Sequence, residues 1–202
     1  MTPTPEQMER SRADTEDHIR KVQAALDEVL ANLTARAVYH DASKLQEPEL
    51  TGFAALHANL ADIRYVTPEY RAALDAARPV IDHHYALNTH HPEHWPMPIN
   101  DDIKALRIAL LFFQSIELPP EQAQLKEQIA RQLKHDIAVM ESRIAGMSLL
   151  DVIEMFCDWY AAGRRTKQGS LAQSLEVNRA RFGADPTLAS IFENTRKEMG
   201  WE

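Results

Sequence analysis

The stretch HIRKVQAALDEVLANL, residues 18–33, decides the fold class. Most of its apolar residues recur three or four positions apart, which is the spacing of one face of an α-helix. The apolar positions are Ile19, Val22, Leu26, Val29, Leu30 and Leu33. This pattern predicts a long amphipathic helix over residues 6 to about 36.

Helical periodicity continues through most of the chain, and no segment shows the alternating β-branched pattern of a strand. Further helices are predicted over residues 49–63, 68–85, 103–116, 120–145, 149–162, 170–181 and 186–197. Glycine is scarce, with six residues in 202, and no repeat or linker interrupts the pattern. The sequence therefore predicts an all-α, single-domain helical bundle over residues 1–202.

The composition excludes several classes of protein. Because the formal net charge is −8, a broad nucleic-acid-binding surface is not expected, although a few local cations can still hold a small anion. The single cysteine, Cys157, rules out an intramolecular disulfide and fits a reducing cytosol. No apolar run approaches the roughly 18 residues that a membrane span needs. We expect a soluble, cytoplasmic protein, and the sequence leaves its oligomeric state open, a homodimer included.

Residues 83–95, HHYALNTHHPEHW, contain five of the nine histidines. Neutral imidazole nitrogen and carboxylate oxygen are ligands for Mn, Fe, Co, Ni or Zn, so this density favours one or two divalent transition-metal ions. The alternative is a polar, solvated loop that is rich in histidine by chance. Because Pro92, Pro96 and Pro98 cannot continue a helix, we expect an ordered loop or a broken crossover here.

Two further groups of residues are candidates for the same chemistry. His18 lies on the first predicted helix and His40-Asp41 follows it, so a short connection between antiparallel helices can bring them together. Asp158 lies on a predicted helix whose other face is apolar, and an unpaired buried carboxylate is very costly. Its partner is either a metal ion or one of Arg164 and Arg165, and the sequence does not decide between them.

The order of these residues resembles that of the HD-domain metal-dependent phosphohydrolases. His18, His40-Asp41-Ala-Ser-Lys44, His83-His84 and Asp158 follow one another as in that superfamily. The segment His84-x-x-x-Asn88-x-His90-His91-Pro-Glu93-His94, residues 150–159 and residues 178–195 are more closely similar to an uncharacterised HD-like family of bacterial and phage proteins. This likeness covers residues 18 to about 195.

The resemblance implies an HD-like helical fold and a set of metal ligands. The first metal would be held by His18, His40, Asp41 and Asp158. His84, with His90 or His91, would extend the site towards a second metal or a substrate phosphate. The implied reaction is hydrolysis of a nucleotide or another small phosphoester by metal-activated water, with Asp41 also taking part in catalysis.

Other residues are assigned to catalysis or to the substrate. Some related nucleotidases have a glutamate where this chain has Lys44, and a lysine there is suited to holding a phosphate as a point charge. Glu154 is a candidate ligand or proton acceptor. Asn88, Arg164 and Arg165 are assigned to the substrate. Alternatively, the segment Arg164-Arg165-Thr-Lys167 is a basic helix C-terminus that complements the helix dipole.

Several interpretations stay open at this point. A metal-binding or nucleotide-sensing protein without turnover is the main alternative to the phosphohydrolase, and a structural protein with a histidine-rich interaction surface is the third. Asp151 is expected to cap a helix, three positions after Ser148. Glu93 either orients an imidazole or is solvated, and Trp159 either lines a pocket or belongs to the core. His57 and His135 are expected to be surface or packing residues.

Overall fold

The computed structural model describes residues 2–60, 63, 67–98, 100–164, 170–183 and 185–201. Within these residues the protein is helical throughout and has no strand, which confirms the all-α prediction. The α-helices are α1 (Pro5–Tyr39), α2 (Glu49–Leu60), α3 (Pro68–Ala76), α4 (Arg78–Leu87), α5 (Asp101–Ser115), α6 (Ala123–Met140), α7 (Leu149–Gly163), α8 (Leu171–Phe182) and α9 (Pro186–Glu198). None of the described helices is both long and apolar enough to cross a membrane.

The chain divides into two units, Met1–Ala42 and Ser43–Glu202. The interpretation of the whole chain as one domain stays a prediction beside this division. The first unit consists of α1, which starts at a capping box where Thr4 and Gln7 bind each other's backbone N–H groups. The helix ends at Tyr39 with His40 as its C-cap, and the next residue, Asp41, has a φ of 55°. Few residues other than glycine adopt this left-handed conformation, and aspartate is among those that tolerate it.

The second unit has its main apolar core at α7, α8 and α9. The buried members of this core are Ile144, Met155, Phe156, Leu171 and Phe192. The rings of Phe156 and Phe192 stack with their centroids 5.0 Å apart. Trp159 packs against the same cluster and also lines a pocket with Leu175, Arg179 and Phe192, so both interpretations of this residue hold. This packing fixes α7, the helix that carries Glu154 and Asp158.

Helices α2 and α4 approach each other closely at Gly52. A Cβ atom on Gly52 would lie 2.6 Å from Cγ2 of Val80, so the contact leaves no room for a larger side chain. Glu49 lies one turn before Gly52 on α2, and His83 and His84 lie one turn after Val80 on α4. The close approach therefore places these three side chains side by side.

Two predicted helices have different bounds in the structure. The single helix predicted over residues 68–85 is wrong, because α3 ends at Ala76 and α4 begins at Arg78. The cause is Pro79, which has no N–H to donate to the carbonyl of Asp75 and whose ring would clash with it. The helix predicted over residues 120–145 is shorter: Pro120 opens a 3-10 turn, and α6 itself runs from Ala123 to Met140.

Candidate metal centre

His84 is placed by the last turn of α4 and by a carboxylate on α2. Its side chain is 3% exposed, and its Nδ1 lies 2.8 Å from Oε2 of Glu49. The neighbouring His83 has its Nδ1 2.9 Å from the other oxygen of Glu49 and is 41% exposed. Two consecutive histidines thus bind the two oxygens of one carboxylate.

Glu49 is fully buried, with 0% of its side chain exposed. Besides the two imidazoles it accepts a hydrogen bond of 2.8 Å from the Ser43 hydroxyl on Oε2. Burial acts to raise the pKa of Glu49, but hydrogen bonds from His83, Ser43 and His84 outweigh it and hold the pKa below its usual value. The carboxylate is therefore ionised at neutral pH and acts only as an acceptor.

Asn88 ends α4 and stabilises this arrangement. Its side-chain amide donates to the Ser43 hydroxyl at 2.9 Å and to the backbone carbonyl of His84 at 2.8 Å. The same nitrogen lies 3.0 Å from Nδ1 of His84. Asn88 was assigned to the substrate, and the structure places its amide on Ser43 and His84.

The loop that follows α4 is tied to α7 through Thr89. The hydroxyl of Thr89 donates to Oδ1 of Asp151 at 2.6 Å, and its carbonyl accepts from the indole N–H of Trp95 at 2.9 Å. Asp151 also forms the predicted capping box with Ser148 at the start of α7. Its role is therefore double, because it caps the helix and holds the loop.

The remainder of the loop is fixed by α8 and by a 3-10 turn, Arg143–Gly146, that precedes α7. Arg143 donates to the backbone carbonyl of Glu93 at 3.0 Å, and Arg181 forms an ion pair with the Glu93 side chain. Nδ1 of His94 lies 2.9 Å from the carbonyl of Tyr85. Glu93 thus pairs with an arginine, and of the two structures predicted here, an ordered loop or a broken crossover, these contacts favour the ordered loop.

We expect Thr89→Val to destabilise the protein by about 1.5 kcal/mol, since it removes a hydrogen bond to a buried carboxylate while keeping the shape of the side chain. Urea denaturation measures the change in the free energy of unfolding. Thr15→Val is the matched control, because the Thr15 hydroxyl bonds only to a carbonyl of its own exposed helix turn. A Thr89→Val protein as stable as the control would show that this tie does not hold the loop.

The ordered loop brings three imidazoles together. The ligand nitrogens of His84, His90 and His91 all lie within 4.8 Å of one another, and Nε2 of His84 is 2.9 Å from Nε2 of His91. His90 is almost fully buried, and its Nδ1 lies 3.2 Å from Oε1 of Glu154 on α7. His84 and His90 therefore share one arrangement, in which a carboxylate faces Nδ1 and Nε2 is turned away from it.

This donor set fits a divalent transition-metal ion. Neighbouring ligands that are each about 2.1 Å from one ion lie about 3 to 3.4 Å apart, which is close to the separation of the His84 and His91 nitrogens. Ligand imidazoles in metalloproteins also bind a carboxylate or carbonyl through their other nitrogen, as His84 and His90 do. Among the described residues of the second unit, His84, His90 and His91 form a group that could hold the ion.

The other predicted residues of the second unit lie at varying distances from this cluster. Lys44 lies with its ammonium 5.1 Å from the ring centre of Phe53, whose ring in turn meets His84 edge-on. Asp158 is one turn after Glu154 on α7 and is partly exposed. Arg164 caps the far end of α7, about 15 Å along the axis from Glu154, and donates to the Tyr160 hydroxyl.

Some predictions fall elsewhere in the chain. Arg165 and Lys167 lie outside the described residues. His18 is on α1, and His40 and Asp41 lie near the end of the first unit, where Nε2 of His40 is 3.7 Å from Oδ2 of Asp41. The convergence of His18, His40 and Asp41 with Asp158 stays a prediction from the ligand order.

Sequence reasoning missed Glu49 and Ser43. Glu49 follows Pro48 at the start of a helix, where an acidic residue is ordinarily explained by the helix dipole. The signal that could have found it is the short distance between α2 and α4 at Gly52, and a single sequence does not reveal that contact.

Comparison with known proteins identifies a family. The model of a family of unknown function, DUF5662, matches residues 7–198. The chain therefore belongs to this family. No curated protein and no solved structure shows a match to it.

Proposed function

We propose that this member of the DUF5662 family is a metal-dependent phosphohydrolase that acts on a nucleotide or another small phosphoester. The observation that carries the proposal is the cluster of His84, His90 and His91, with two of the three imidazoles bound to buried or nearly buried carboxylates. In a solvated loop that is rich in histidine by chance, the imidazoles would lie in water. Here two of them are buried, and each has the acidic partner that a buried polar group requires.

The three imidazoles would hold the ion, which their nitrogen donors restrict to a transition metal such as Mn, Fe, Co, Ni or Zn. When bound, such an ion lowers the pKa of a water molecule towards about 7 and stabilises negative charge on a phosphoryl oxygen. The protein's part is to keep the imidazoles in position, and the loop contacts of Thr89 and Glu93 supply that rigidity.

Glu154 is our candidate for proton transfer. Of the two carboxylates that bind the clustered imidazoles in the described part of the second unit, Glu49 is fully buried and Glu154 is 12% exposed. A group that accepts a proton from the attacking water must later release it, and contact with solvent makes this release possible. Glu154 meets that condition and Glu49 does not.

Lys44 is our candidate for binding the phosphate. Its ammonium group is separated from His84 by the ring of Phe53, which both of them contact. A lysine is a compact point charge on a flexible stem, so it can follow a phosphoryl group whose charge increases during the reaction. Arg164, by contrast, is bound to Tyr160 at the far end of α7.

Metal content and turnover test the proposal separately. Elemental analysis of the purified protein should find a transition metal, and phosphate release from a panel of nucleotides and phosphoesters should require added Mn²⁺, Co²⁺ or Ni²⁺. A protein that binds metal but hydrolyses no member of the panel would favour the sensor without turnover. A protein that binds no transition metal would contradict both interpretations.

His40 and Asp41 enter the proposal through the sequence pattern alone. If Asp41 is a ligand, Asp41→Asn should lower kcat for phosphoester hydrolysis by at least about 100-fold, since a carboxylate can bridge two ions and an amide is a much weaker ligand. Asp14→Asn, elsewhere in the first unit, is the control. Full activity of the Asp41→Asn protein, measured with saturating metal, would remove Asp41 from the site.

A further inference from the structure

Glu49 has no role in the proposed reaction, yet it is the most completely buried ionisable side chain at the site. Both of its oxygens are engaged: Oε1 by His83, and Oε2 by His84 and Ser43. Burying a charged carboxylate is costly unless hydrogen bonds replace its hydration, and here three donors do so. Such an arrangement calls for a function that a surface glutamate could not serve.

The position of the proton on His84 follows from these contacts. Because an ionised carboxylate is only an acceptor, the Nδ1 atom that lies 2.8 Å from Oε2 must carry the hydrogen. In a His84 imidazole that carries one proton, Nε2 then has its lone pair exposed to the cluster, and the hydrogen between the two Nε2 atoms belongs to His91 in the metal-free protein. A lone pair on Nε2 is what a metal ligand requires.

Asn88 makes a second tautomer of His84 possible. Its amide nitrogen lies 3.0 Å from the same Nδ1, so it could donate to that atom if Nδ1 carried a lone pair instead. The proton of His84 would then be on Nε2 and would block metal binding there. Glu49 opposes this outcome, because its carboxylate accepts the hydrogen of Nδ1. The two hydrogens of the Asn88 amide are then directed to Ser43 and to the His84 carbonyl.

We propose that Glu49 is a positioning residue, which fixes the His84 proton on Nδ1 and thereby presents Nε2 to a divalent transition-metal ion. The inference rests on the proposed function only in taking His84 as a metal ligand. His83, which binds the other oxygen and is 41% exposed, helps to keep the carboxylate oriented. Outer carboxylates of this kind typically change metal affinity by about 10- to 100-fold when they are removed.

The test compares Glu49→Met, which removes both acceptor oxygens at similar length, with Glu49→Gln, which keeps one. We expect the Zn²⁺ or Ni²⁺ affinity to fall about 10- to 100-fold in Glu49→Met and to be partly restored in Glu49→Gln, whose amide oxygen can still accept from His84. Glu47→Met is the matched control, because Glu47 lies two residues earlier and its contacts are with exposed Thr51. It should bind metal as the unmodified protein does.

A second readout needs no metal and no activity. Long-range ¹H–¹⁵N NMR spectra of the metal-free protein should show His84 protonated on Nδ1 in the unmodified chain and on Nε2 in Glu49→Met. If the unmodified chain already has the proton on Nε2, or if Glu49→Met binds metal with full affinity, the inference is wrong. If Glu49→Met does not fold, the tautomer of the unmodified chain and the affinity of Glu49→Gln decide the question.

These outcomes differ from a failure of the proposed function. A protein that binds metal, shows the expected tautomer and hydrolyses no phosphoester would end the hydrolase proposal while the role of Glu49 stands. A protein that binds no Zn²⁺ or Ni²⁺ would overturn the role of Glu49 as well.

Discussion

His91→Ala is expected to lower kcat for metal-dependent phosphoester hydrolysis by more than about 100-fold. Removal of a residue that binds a metal ligand typically lowers metal affinity or activity by about 10- to 100-fold. Removal of a ligand itself should lower them further. His91 is an informative histidine to replace, because its Nε2 lies 2.9 Å from Nε2 of His84 and its ring packs against those of His90 and Tyr85. In His84→Ala or His90→Ala a carboxylate would lose a hydrogen-bond donor, and a loss of stability would confuse the result.

His135→Ala provides the control for this experiment. His135 is exposed on α6, so its removal should leave the rate, the metal content and the free energy of unfolding unchanged. The measurement pairs initial rates of phosphate release with the metal content of each purified variant. If His91→Ala had the same metal content and the same rate as the unmodified protein, the cluster would not be the metal centre.

Much of the fold is predictable because helix periodicity is a local property. Pro5–Tyr39 and Leu149–Gly163 lie close to their predicted bounds, since an apolar stripe and a capping box are both written in adjacent residues. The error at Ala77 has a local cause as well. Pro79 lies eleven residues after the start of the helix predicted over residues 68–85, and a proline so far inside a helix is a reason to end it.

Only part of the site could be predicted, because some of its residues are neighbours in the sequence and others are far apart. His84, His90 and His91 are concentrated in eight residues, so composition alone singled them out. Glu49 is 35 residues away from His84, and only the packing of α2 on α4 brings the two together. A lone glutamate at a helix start carries no mark of burial, because most such residues are solvated.

The same limit applies to the contacts of Asn88, whose assignment to the substrate stays a prediction. In the amino-acid sequence alone, an asparagine beside several histidines suggests ligand recognition. In the folded protein its amide donates to Ser43 and to the His84 carbonyl at the end of α4, and these bonds help to hold the His84 side chain in place. Its influence on metal binding is expected to pass through His84.

Gly183→Ala is expected to destabilise the protein by about 3 kcal/mol or more. Gly183 ends α8 with a φ of 60°, and a Cβ atom there would lie 2.0 Å from the backbone oxygen of Ala138 on α6. The cost combines the left-handed conformation, about 1 to 2 kcal/mol, with overpacking against a helix backbone that cannot rotate away. Gly200→Ala separates the two effects, because Gly200 has a φ of 65° but no atom within 4 Å of the added Cβ, so it should lose only about 1 kcal/mol. Urea denaturation of both variants measures the difference, and equal losses would show that α6 and α8 do not meet at Gly183.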